Sequence, residues 1–128
     1  MRLIGFIKEY EENLGGALFE EIQEASVNDP ELINKIIAYL DKGKLVMAWM
    51  GYFMDLKTKD YILPHDYRTD GIWIWPSYFP YYLRFYPNYK LDKEFVDYLI
   101  EKDFLLETKK KINVRELENE LIKKMSQS

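Results

Sequence analysis

The chain has no cysteine in its 128 residues. That excludes disulfide frameworks and thiolate metal sites, and it fits a reducing compartment. There is one histidine, His65. Structural and catalytic zinc sites need three or four N, S or O ligands at recurring spacings, which a lone histidine does not supply. Asp55 and Asp60 bracket a short polar loop, but the loop lacks the alternate-position oxygens of a calcium site. No Gly-rich phosphate loop is present, and no Ser or Cys stands in a recognised nucleophile setting. His65 lies beside Asp66 and near Asp70. Neighbouring residues on a strand point to opposite faces, so it reads as a loop histidine after Pro64 rather than an acid–base pair. The expectation is no enzyme, no metal and no cofactor. No apolar run reaches the ~18 residues of a membrane span, and the N-terminus lacks a charged-then-apolar leader pattern. A cytoplasmic protein without membrane contact is expected.

Positive charge is also in short supply. The net charge is −4, with 18 Lys and Arg against 22 Asp and Glu. The first 34 residues carry Arg2 and Lys8 against eight carboxylates, a balance of −6, and the remainder is +2. An acidic N-terminal third repels phosphate backbones and favours basic partners. With no interleaving of basic and aromatic residues, nucleic acid is not an expected ligand. The run Lys109 to Lys111 is the exception to the acidic picture.

Aromatics are abundant: 3 Trp, 11 Tyr and 7 Phe. They concentrate at residues 69 to 89, TDGIWIWPSYFPYYLRFYPNY, around which the chain is organised. Asp70-Gly71 is a two-residue turn signal. Ile72 to Trp75 reads as a strand, with both Ile on one face and both Trp on the other. Pro76 ends it, and Ser77 is placed to cap a helix from Tyr78 to Tyr86 that Pro87 stops. Such a concentration makes a core hub. The same residue types serve as anchors for protein partners.

The remaining segments follow from periodicity and caps. Leu3, Ile4, Ile7, Tyr10 and Leu14 recur at helical spacing before Gly15-Gly16. Leu18, Ile22 and Ala25 predict a second, shorter helix. Asp29-Pro30 starts a third with a wide apolar face, Leu32 to Leu40. Leu45 to Met54 is apolar on both sides, which predicts a central strand, and Gly51 within it marks a bulge or a close approach. Tyr61 to Leu63 and Tyr67 to Thr69 continue the sheet. Asp92 caps a helix with Phe95, Val96, Leu99 and Ile100 inward. After a Lys-rich linker, Asn113 and Glu116 open a C-terminal edge helix, residues 113–126, with a narrow apolar stripe. The predicted fold is one α+β domain, residues 1–128. It has a three- or four-stranded antiparallel meander sheet packed with five or six helices.

The pattern TDG-x-W-x-WPS-x-x-x-YY, with the strand GKLVMAWMGYFMD and the opening IGFIKEYEENLG, resembles a known class. These are small bacterial immunity proteins of polymorphic-toxin and contact-dependent growth inhibition systems. The likeness covers residues 30 to 104 and the opening segment. It implies an antitoxin that binds and neutralises a cognate toxin domain, often a nuclease, as a monomer or weak dimer. It brings no catalytic residues. The carboxylates Glu9, Glu12, Asp55, Asp60, Asp66 and Asp70, with Trp73 and Trp75 as anchors, are the expected partner-binding residues. Charge reversal of Glu9 with Glu12, or of Asp55 with Asp60, is then expected to slow association. The alternative is a small ligand-binding domain or enzyme whose pocket is lined by Trp73 or Trp75, with His65 at its mouth.

Overall fold

The computed structural model describes residues 1–107 and 111–126. Lys109 and Lys110 of the basic run lie outside the described residues. The elements are β1 (Arg2–Leu3), a single 3₁₀ turn (Phe19–Glu21), α1 (Pro30–Leu40), β2 (Lys44–Met54), β3 (Tyr61–Thr69), β4 (Trp73–Pro76), α2 (Tyr78–Phe85), α3 (Lys93–Glu101) and α4 (Val114–Met125). The four strands form one sheet in the order β1-β4-β3-β2.

This corrects the predicted fold. The sheet is mixed, because β1 runs parallel to β4, pairing Arg2 with Trp73 and Leu3 with Ile74. Among the described residues there are four α-helices and one 3₁₀ turn, not five or six helices. The missing helices are both N-terminal. Gly5, inside the first of them, holds a φ of +77°, left-handed backbone that an α-helix does not accommodate. Gly5 cannot carry a side chain, since a Cβ there would lie 2.2 Å from the Phe79 ring. The apolar residues of the segment are buried all the same, as an irregular strap.

Helix starts follow the sequence closely. Asp29 accepts a hydrogen bond from the Glu31 amide (3.1 Å), with Pro30 at the first helical position. Asp92 caps α3 through the Phe95 amide, and Asn113 caps α4 through the Glu116 amide. Each satisfies an amide that the helix itself leaves free. Ser77 is different. Its own backbone is helical, and its hydroxyl donates to the Pro64 carbonyl instead of capping α2.

Most of the hub is buried, with Trp73, Trp75, Tyr78, Phe79, Tyr82 and Tyr89 in the core and Phe85 exposed. All four residues of β4 are buried. Trp73 meets Phe95 of α3 edge-on at 5.1 Å, and Trp75 lies 6.4 Å from Tyr39 of α1. Gly43 admits Trp75, because a Cβ there would sit 2.4 Å from the indole. Tyr67, paired with Pro76 across the ladder, points to the other face and stacks on Phe6 of the strap at 6.0 Å. The strap therefore covers one sheet face and α1 with α3 the other. The turn at Asp70-Gly71 is one residue longer than predicted: β3 ends at Thr69, β4 begins at Trp73, and Ile72 is exposed. Only Gly71 of the two takes positive φ, so the two-residue type I′ turn is not formed.

The second correction in layout concerns β2. It is an edge strand, not the central one. Leu45, Ala48, Trp49, Met50 and Tyr52 face solvent, while Val46, Met47 and Phe53 are buried. Its pairing with β3 jumps from Ala48↔Asp66 to Tyr52↔Pro64, so Trp49, Met50 and Gly51 oppose the single residue His65. Gly51, at φ +97° with open space around it, marks a bulge rather than a close approach.

Candidate functional site

Two sets of polar side chains are built into the molecule, each around one carboxyl and two tyrosines. The first centres on Glu11 in the strap. Its carboxyl is only 8% exposed. Tyr67 of β3 donates to Oε2 at 2.7 Å, and Tyr78 of α2 donates to Oε1. Behind them, the Ile7 amide donates to the Tyr78 hydroxyl (2.8 Å), and His65 Nε2 lies 2.9 Å from the Tyr67 hydroxyl. The strap is thus tied to β3 and α2 through one carboxyl.

Burial pushes Glu11 up to about 7, although the Tyr78 and Tyr67 hydrogen bonds pull the other way. Burial, with Glu11 and its hydrogen bonds beside them, also pushes the Tyr67 and Tyr78 hydroxyls well above their ordinary range. Burial lowers His65, opposed in part by Asp66. Glu11 is therefore a proton-exchanging group at neutral pH, inside a shell of neutral tyrosines.

Glu11 lies in the wall of a cleft of about 330 Å³, with Tyr10, Glu12, Trp49, His65, Tyr67 and Met125. The end of α4 closes one side, where Asn13 donates to the Met125 carbonyl at 3.2 Å. A neighbouring groove shares Tyr10 and His65 and adds Glu9, Tyr52, Asp55 and Lys59. The β2 bulge stands over both. Met50 is 99% exposed, Tyr61 73%, Tyr52 61% and Trp49 50%.

The second set centres on Asp70. Its Oδ1 accepts from the Ile72 and Trp73 amides at 3.0 and 2.8 Å, which fixes the turn. Its Oδ2 accepts from the hydroxyls of Tyr39 and Tyr98. Lys102 reaches this pair, donating to the Tyr39 hydroxyl at 3.1 Å.

The expected partner-binding residues divide accordingly. Glu9 and Glu12 are exposed and border the two grooves, and Asp60 is exposed at the β2–β3 turn. Glu9 also accepts from the Phe19 amide at 2.9 and 3.1 Å. Trp73, Trp75 and Asp55 are buried, each 3% exposed or less, and are withdrawn from any contact surface. Asp55 holds its turn together: Oδ1 takes the Lys57 and Thr58 amides, and Oδ2 takes the Tyr81 hydroxyl. Burial raises its pKa, yet those hydrogen bonds outweigh it and leave Asp55 below the ordinary carboxylate value. Reversing its charge would break the turn before it altered a rate. Asp66 pairs loosely with Arg68 at 3.6 Å, and Asp70 is committed to its own turn.

Among the described residues, Trp73 and Trp75 are buried and His65 lines the Glu11 cleft instead of a pocket at either Trp. Trp75 borders a separate cleft of about 370 Å³ with Asp66, Arg68 and Arg84, and His65 is not among its walls. Among the described residues, no three His, Cys, Asp or Glu side chains converge as metal ligands, and no helix is long and apolar enough to cross a membrane.

Sequence reasoning counted Glu11 only as one of eight acidic charges, and it passed over Trp49, Met50, Tyr52 and Tyr61. A signal for Glu11 existed: it falls four residues after Ile7 and three before Leu14, inside the apolar spacing rather than outside it. No protein-family model matches the chain, and neither a curated protein nor a solved structure shows significant similarity to it.

Proposed function

We propose that the chain is a protein-binding inhibitor, an immunity protein that neutralises a basic toxin domain in the cytoplasm of the producing cell. The observation that carries the reading is the β2 bulge. It holds Trp49, Met50 and Tyr52 in solvent on an edge strand. Exposing large apolar side chains together has a solvation cost, and contiguous exposed patches mark interaction surfaces. Bulges concentrate where a strand must re-aim side chains. Trp and Tyr are the residue types that dominate binding energy at protein interfaces.

Charge supports the same partner. Of the eight carboxylates in residues 1–34, all but Glu11 are exposed. A nuclease must present positive charge to its substrate phosphates, so an acidic inhibitor rim is complementary to it. The function is binding, without catalysis and without nucleic acid as a ligand. The resemblance of residues 30 to 104 to immunity proteins points the same way.

The reading predicts a neighbouring gene whose product ends in a toxic domain, and the test is co-expression with that domain. Protection and nanomolar association are expected from the wild-type chain. The triple variant Trp49→Ala, Met50→Ala, Tyr52→Ala is expected to fold and to lose protection, since all three side chains are exposed. A triple variant that protects as well as the wild type moves the interface elsewhere. A wild-type chain that neither binds nor protects ends the proposal.

A further inference from the structure

We propose that the cleft around Glu11 is a receptor for an organic cation, the ammonium or guanidinium head of a Lys or Arg side chain that a protein partner inserts. The inference deepens the proposed function, on which it rests for the source of that side chain.

Three observations carry it. The first is the charge of the cleft. Glu11 lies in its wall and the exposed Glu12 at its mouth, and no Lys or Arg is among the residues around it. The second is its aromatic character. Tyr10, Trp49 and Tyr67 form much of its wall, and aromatic rings attract cations, most strongly where water is excluded.

The third is an internal precedent. At Asp70 a carboxylate accepts from two tyrosine hydroxyls, and a cation completes the group: Lys102 Nζ lies 5.3 Å from the Tyr39 ring and 5.1 Å from the Tyr98 ring. At Glu11 a carboxylate again accepts from two tyrosine hydroxyls, Tyr67 and Tyr78. Here none of the chain's own described side chains supplies the cation. Each carboxylate oxygen has a second lone pair beyond the one used by tyrosine, so Glu11 can accept further donors.

Binding is linked to protons. Glu11 titrates near 7 because burial opposes its charge. A cation in the cleft restores a favourable environment and prefers the ionised form. The other groups facing Glu11 are Tyr10, Tyr67 and Tyr78, which stay neutral, and His65 and Glu12. Protonation of His65 in acid adds like charge to the cleft and acts in the same direction.

The experiment is proton–nitrogen NMR of the full chain, following the Trp49 indole N–H and the His65 ring. The probes are butylammonium, methylguanidinium and the neutral 1-butanol, then a short Lys peptide and its norleucine counterpart. Saturable shifts are expected with the two cations and the Lys peptide, and not with butanol or the norleucine peptide. Apparent affinity should be roughly 30-fold higher at pH 8 than at pH 5.5, following the ionised fraction of a group titrating at about 7. Glu11→Gln should remove most of that pH dependence and leave only the smaller part due to His65. Trp49→Ala and Glu12→Gln alter exposed residues and should weaken binding roughly two- to fivefold without unfolding the chain. Equal shifts from butanol, or no saturable shift with any cation, overturn the inference and leave Glu11 as a tie between strap and sheet. A chain that neutralises its toxin but takes no cation sinks this inference alone. A chain that takes the cation but binds no toxin sinks the proposed function alone.

Discussion

Replacing Glu11 by Gln should change how stability depends on pH more than it changes stability itself. Glu11 titrates near 4.5 when solvated and at about 7 in the folded protein, because its carboxyl is 8% exposed. Between those values the native state holds a proton that the unfolded chain has released. The associated stability is therefore fully present below pH 4.5 and is lost as pH rises through 7. A difference of some two and a half pH units corresponds to about 3 kcal/mol. With urea slopes of roughly 1–3 kcal/mol/M, the midpoint should fall by roughly 1–3 M across that window. His65 works in the opposite sense, because its folded value is lowered and stability tied to it rises with pH. Asp55, also lowered, contributes only in stronger acid. Neither group is touched by the substitution, so the difference between wild type and Glu11→Gln isolates the Glu11 contribution. The assay is urea unfolding followed by tryptophan fluorescence from pH 4.5 to pH 8 for both proteins. The wild-type curve should descend relative to the variant over that range. Parallel curves would refute the reasoning, because they would mean that the carboxyl is as well solvated in the fold as outside it.

Three further outcomes are expected. Trp75→Ala should cost about 3–5 kcal/mol in urea unfolding, because it empties the contact with Tyr39 and Gly43 at the sheet centre. Asp70→Asn should keep the turn through Oδ1 but deprive Tyr39 and Tyr98 of their shared acceptor, at about 1–3 kcal/mol by the same measurement. Glu12→Lys should slow association with the basic partner on the order of tenfold at low salt, with the deficit shrinking as salt rises in stopped-flow measurements. Glu9→Lys should do the same with an added stability loss, since Glu9 also holds the Phe19 amide.

Local chemistry decided much of the fold in advance. Asp29, Asp92 and Asn113 start helices wherever they are placed before an apolar stripe, because an exposed amide needs a nearby acceptor. A strand with no polar face left Trp73 and Trp75 as either core or contact anchors, and the structure buries both. Gly51 narrowed its position to a bulge or a close approach, because glycine takes positive φ at little cost, and the open space around it makes it a bulge. These are short-range constraints, and a short stretch of sequence contains them whole.

What the tertiary structure alone decided is which apolar surface is covered and by what. Periodicity reports that a face is apolar, not that something packs on it. Leu45 to Met54 is apolar on both sides, yet it lies at the sheet edge, because β3 is the one strand that pairs with it among the described residues. The spacing Ile7, Tyr10, Leu14 looks helical, but Gly5 takes left-handed backbone, and the absence of its Cβ makes room for Phe79, 74 residues away in sequence. The same non-local packing turned Glu11 from one surface charge among eight into a buried carboxyl titrating near neutrality. Its pKa is raised by burial, against the hydrogen bonds from the tyrosines of β3 and α2, and that burial exists only once the strap lies across the sheet.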